Sequence, residues 1–83
     1  MQNLEATKIA RNIIREENEN ITTMYTNKYK NCRTVKANVD SCNVANIRRR
    51  VEAQIPGATV NIVKEGRSYY GAWSLLVIRI PYN

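Results

Sequence analysis

Aromatic and basic side chains interleave over one short segment of this chain: Tyr25, Lys28, Tyr29, Lys30, Arg33 and Lys36. Tyrosine rings stack on unpaired bases, and lysine and arginine hold phosphates. The pattern therefore suits single-stranded RNA or DNA. Arg48-Arg49-Arg50 is a second basic group. On a helix with Val44 at zero, Arg49 and Arg50 point to solvent, near ~140° and ~240°; Arg48, near ~40°, snorkels from the core edge. Cations in the last half of a helix also complement its negative end, which accounts for them without any phosphate. The third group is Arg67-Ser68-Tyr69-Tyr70, a guanidinium and two rings between Gly66 and Gly71. Such a tip would insert into a groove or a partner's pocket, unless Tyr70 folds back onto the core.

The balance of charge supports these groups. The 83 residues carry a net +6, with residues 1–19 at −1 and residues 20–83 at +7. No acid occurs between Asn20 and Val39. A local cationic excess is what polyanion binding needs, because neutralising phosphates releases counterions. The same excess also serves solubility alone.

Catalytic groupings are nearly absent. The chain has no histidine, so it lacks an imidazole base and any Ser-His or Cys-His pair. Its three glycines match no phosphate-binding fingerprint. Glu16, Glu17 and Glu19 crowd one helical turn and read as a solvated face. Two cysteines without histidine are too few to hold zinc. Cys32 and Cys42, at opposite ends of a strand, would lie ~25 Å apart, beyond disulfide reach, so free thiols are expected. No enzyme activity, metal or cofactor is expected.

These residues need a frame. The segment 72–80, Ala72-Trp73-Ser74-Leu75-Leu76-Val77-Ile78-Arg79-Ile80, is apolar on both faces and reads as the central strand of a sheet. Residues 3–27 read as an amphipathic helix, with Ala6, Ile9, Ala10, Ile13, Ile14, Ile21, Met24 and Tyr25 in one arc and Lys8, Arg11 and Arg15 opposite. The polar run 16–20 is a point where that helix would break, leaving Ile21–Tyr25 as a separate turn. Residues 32–39 alternate as a strand with one wet face, and their Lys and Asn suit an edge. A second helix spans 41–55, capped by Asp40 or Ser41 and stopped by Pro56-Gly57. A strand follows at 58–64, with Val60 and Ile62 inward, and 65–71 is a loop.

The order α-β-α-β-β predicts an α+β domain of residues 1–83. Its three-stranded mixed sheet has order 1-3-2, with two helices on one face. This is not the element order of the double-stranded-RNA-binding domain, the KH domain or the RNA-recognition motif. With both helices on one side, the face bearing Trp73, Leu75, Val77 and Arg79 would be open, and an open apolar face on a small protein meets a partner. Trp73, Leu75 and Val77 are therefore candidates for a protein interface, and a homodimer would be unsurprising at this length.

No apolar run reaches the ~18 residues of a membrane span, and the N-terminus lacks a signal-peptide layout, so a cytoplasmic location without membrane contact is expected. The function these features favour is a small, non-catalytic, nucleic-acid-binding regulatory module, RNA ahead of DNA. Its contacts would be Lys28, Tyr29, Lys30, Arg33, Lys36, Arg49, Arg50, Arg67, Tyr69 and Tyr70. The alternative is a small phage- or virus-type inhibitor or adaptor that blocks an acidic or nucleic-acid-binding host protein, in keeping with an Asn-, Lys-, Ile- and Tyr-rich composition of the kind AT-rich genomes encode.

Overall fold

The computed structural model describes residues 3–19 and 24–82. Two helices and four strands follow in the order α1 (Asn3–Glu17), β1 (Met24–Lys28), β2 (Cys32–Asp40), α2 (Val44–Gln54), β3 (Thr59–Ser68) and β4 (Gly71–Pro81), with a single 3-10 turn at Ser41–Asn43 before α2. The sheet order is β1-β2-β4-β3, and every neighbouring pair is antiparallel. The expected three-stranded mixed sheet is thus corrected to a four-stranded antiparallel one. β4 lies between β2 and β3.

The fourth strand comes from the chain expected to extend the first helix. α1 buries Ala6, Ala10, Ile13 and Ile14 along one stripe, and Glu5 and Arg15 suit its two ends. It stops at Glu17 because the next residues offer the core nothing apolar. Ile21, which the helical arc had included, lies outside the described residues. Met24–Lys28 instead pairs with β2, Tyr25 opposite Lys36 and Thr26 opposite Val35. Met24 packs against the core from the strand. Over five residues a helical and a strand period are hard to tell apart, and the unpaired edge of β2 settles the matter by taking a partner. β2 is consequently an internal strand and not an edge; its Lys36 and Asn38 point away from the helices.

The core fills the space between the helices and one face of the sheet. Val35, Ala37 and Val39 of β2 meet Leu76, Ile78 and Ile80 of β4, with Val60 of β3 beside them and Ile47, Val51 and Ile55 of α2 above. The second helix ends as expected at Pro56-Gly57, where Gly57 takes φ +85°, a conformation glycine adopts without steric cost. Its start differs from expectation. Neither Asp40 nor Ser41 caps it through a side chain; Ser41 Oγ hydrogen-bonds Ser74 Oγ at 2.7 Å instead. Strand β3 also exceeds expectation and runs through the presumed loop to Ser68. A register shift between Ile62 and Lys64 leaves Val63 as a bulge, and Ile62, expected inward, is partly exposed on this edge. Both cysteines are free thiols, Cys32 buried and Cys42 exposed.

Asn18 ties the layers together. It is 4% exposed, and its Oδ1 accepts from the Asp40 backbone N–H at 2.8 Å and from Asn43 Nδ2 at 2.7 Å. The end of α1 is thereby fastened to the turn that starts α2. Asn18→Ala removes the shared acceptor and leaves two donors to find water, at a cost of about 1–3 kcal/mol. Urea unfolding should show a lower midpoint at unchanged slope; an unchanged midpoint would mean the junction does not depend on this side chain.

Candidate functional site

Both helices sit on one face of the sheet, and among the described residues nothing covers the other. Directly opposed residues of antiparallel strands share a face, so the register maps the uncovered surface row by row. Asn27, Thr34, Arg79 and Thr59 form one row, and Tyr25, Lys36, Val77 and Asn61 the next. Asn38, Leu75 and Lys64 follow, then Asp40, Trp73 and Gly66. Rows lie ~6.8 Å apart along the strands. Trp73, Leu75 and Val77 are half-buried there, while Tyr25 is exposed. The face thus combines an apolar centre with an indole, a phenol, three cations (Lys36, Lys64, Arg79) and one carboxylate, Asp40.

Trp73 owes its position to a glycine. A Cβ built on Gly66 would stand 2.7 Å from Trp73 Cε2 and closer still to Cζ2. The indole therefore lies across the Gly66 backbone. Its exposed side borders a shallow depression of about 840 Å³, lined by Tyr25, Lys36, Asn38, Asp40, Leu75 and others at that end of the sheet. Aromatic rings and short polar groups along a cationic surface can stack planar groups and hold anions.

The ten residues expected to bind nucleic acid do not form a single patch. Lys36 belongs to the open face. Lys28 and Arg33 oppose each other two positions from the Thr26–Val35 pair, which puts them on the helix side. Arg33 is half-buried, and its Nε lacks a hydrogen-bond partner. Tyr29 and Lys30 sit exposed in the β1–β2 turn, closed by Tyr29 N–H donating to the Cys32 carbonyl at 2.8 Å. Arg67, Tyr69 and Tyr70 occupy the β3–β4 hairpin tip. Tyr69 and Tyr70 are 96% and 92% exposed, so Tyr70 does not return to the core, and the rings meet edge to face at 5.4 Å. The two tips stand at opposite ends of β4, ~33 Å apart for its length.

The arginines of α2 face away from the open surface. Arg48 Nη2 donates to the Val60 carbonyl at 3.3 Å, and Arg49 to Asn46 Oδ1 at 3.2 Å. Arg50 spans Glu16 and Glu17 at 2.6 and 2.9 Å; hydrogen bonds to these carboxylates hold its guanidinium above the ordinary arginine range. Its charge is already engaged within the protein.

Lys64, Arg79, Asn38 and Asp40 were not among the expected contacts, although Arg79 had been placed on the open face. The signal for Asn38 was present in the alternation of β2. That for Lys64 was hidden by the Val63 bulge, which shifts the face of every later residue of β3. No family model matches the sequence, and no curated protein or solved structure matches it.

Gly66→Ala should displace the indole. The expected result is a shifted Trp73 emission and a stability loss of about 1 kcal/mol or more, read by fluorescence-monitored unfolding. Trp73 is the sole tryptophan, so the signal is unambiguous; unchanged emission would show that the indole does not rest on Gly66.

Proposed function

We propose that this protein is a non-catalytic module that binds single-stranded nucleic acid, RNA ahead of DNA, on the helix-free face of its sheet. The observation that carries this reading is the grouping of Trp73, Tyr25 and Lys36 on one open surface, with Lys64 and Arg79 beside them. Bases would stack on the rings while the cations hold the backbone. The short polar side chains of Asn27, Thr34, Asn38 and Asn61 suit the 2′-hydroxyl, which donates and accepts and distinguishes RNA from DNA. The hairpin tips, with Tyr29 and Lys30 at one end and Arg67, Tyr69 and Tyr70 at the other, extend the track along the strands.

A protein partner is the competing reading. Trp73, Leu75 and Val77 are contiguous and half-buried, as the centre of an interface would be. An inhibitor or adaptor of phage or viral type, blocking an acidic or nucleic-acid-binding host protein, would use them.

Trp73 fluorescence separates the two. Titration with a mixed single-stranded RNA pool should quench its emission. Three phosphate contacts give a slope of log affinity on log salt near −2, about 15-fold weaker binding for a fourfold rise in salt. Reversing Lys36 and Lys64 to Glu should weaken binding more than tenfold, whereas reversing Lys8 and Lys28, which are exposed on the helix side, should cost less than about threefold. No quenching at low salt would refute nucleic-acid binding and favour the protein partner. Equal losses in the two variants would move the site off this face.

A further inference from the structure

Among the described residues the open face carries one acidic side chain, and its position is specific. Asp40 stands directly opposite Trp73 in the β2–β4 register, so their Cβ atoms are ~5 Å apart on the same side of the sheet. Both line the same depression. The Asp40 backbone N–H is held by Asn18, but its carboxylate makes no capping hydrogen bond and joins no ion pair among the described residues. Every other residue on β2 that shares this face is neutral or cationic. Along β2 the sequence Lys36, Asn38, Asp40 presents a cation, an amide and an anion at ~6.8 Å intervals.

A free carboxylate beside a stacking ring repels phosphate and attracts hydrogen-bond donors. Resting on the nucleic-acid reading above, we propose that Asp40 and Trp73 form a base-selective pocket for an unpaired guanine. The base stacks on the indole, and its adjacent N1–H and N2–H2 donors meet the two carboxylate oxygens. Lys36, two rows away, holds a backbone phosphate of the same strand. A carboxylate accepts two parallel donors well, and hydrogen bonds to an ionised acceptor are roughly twice as strong as neutral ones. Uracil offers a single N–H between two carbonyl oxygens, which the carboxylate repels. Adenine offers one amino group beside an unprotonated ring nitrogen. The polarity of Asp40 therefore selects against both.

The test uses the full chain and Trp73 emission, with short oligouridylates bearing guanosine, inosine, adenosine or uridine at the central position. Inosine keeps N1–H and lacks the N2 amino group. Guanosine should bind about tenfold or more tighter than uridine, with inosine between them and adenosine near uridine. D40N offers one donor and one acceptor in place of two acceptors. It should abolish the guanosine preference, and should tighten binding of the all-uridine strand because a negative charge leaves the face. The substituted side chain makes no capping bond, and an unchanged unfolding midpoint will show that the fold is kept. Equal affinity for all four oligonucleotides, or a guanosine preference that persists in D40N, overturns the base pocket while leaving nucleic-acid binding intact. Failure to bind any of them overturns the nucleic-acid reading itself.

Discussion

The structure depends on a mismatch between its central strand and its helices. β4 is apolar on both faces, yet the chain has only enough helix for one. Leu76, Ile78 and Ile80 are buried under α1 and α2; Trp73, Leu75 and Val77, one residue out of phase, are left half-buried on the other side. A chain of 83 residues has little surface to spare for a second core. The uncovered side is therefore a standing cost that would be relieved by a bound ligand.

Local features adapt to that uncovered face. Gly66 removes a side chain so that the indole can lie flat and hide one of its surfaces. The bulge at Val63 turns Lys64 towards the same side. β1 adds a fourth column to the face, bearing Asn27 and the exposed Tyr25, and gives β2 a pairing partner. The two sheet edges are also blunted: β1 is only five residues long, and β3 carries a bulge and charged residues. Both devices discourage edge-to-edge association.

The frame was legible where apolar periodicity was strong. The stripe of α1, the alternation of β2, the Pro56-Gly57 stop and the doubly apolar β4 each carry enough residues to fix a period. What escaped the sequence was short or polar. Five residues of β1 fit a helical arc as well as a strand, and only the vacant edge of β2 decides between them. Glu65-Gly66-Arg67-Ser68 looks like a loop because a strand that extends past the helix layer has no core to reward apolar residues. The clusters of basic residues were visible, but their faces were not: Lys28 and Lys36 share a hairpin and lie on opposite sides of the sheet. Nor does a run of three arginines reveal that Arg50 is committed to Glu16 and Glu17, since that pairing joins residues 34 and 33 positions apart.

Charge also bears on what meets the open face. An apolar patch of Trp73, Leu75 and Val77 alone would suit a second copy of the chain. A face-to-face dimer is isologous, however, and brings the same surface against itself. Lys36, Lys64 and Arg79 would then face three cations with a single Asp40 on each side to offset them, and like charges brought together across an interface are costly. The same arrangement is favourable for a partner that is negative along its length and planar at intervals. The apolar rings and the surrounding cations, which conflict in a homodimer, would act together on the single-stranded polyanion proposed above.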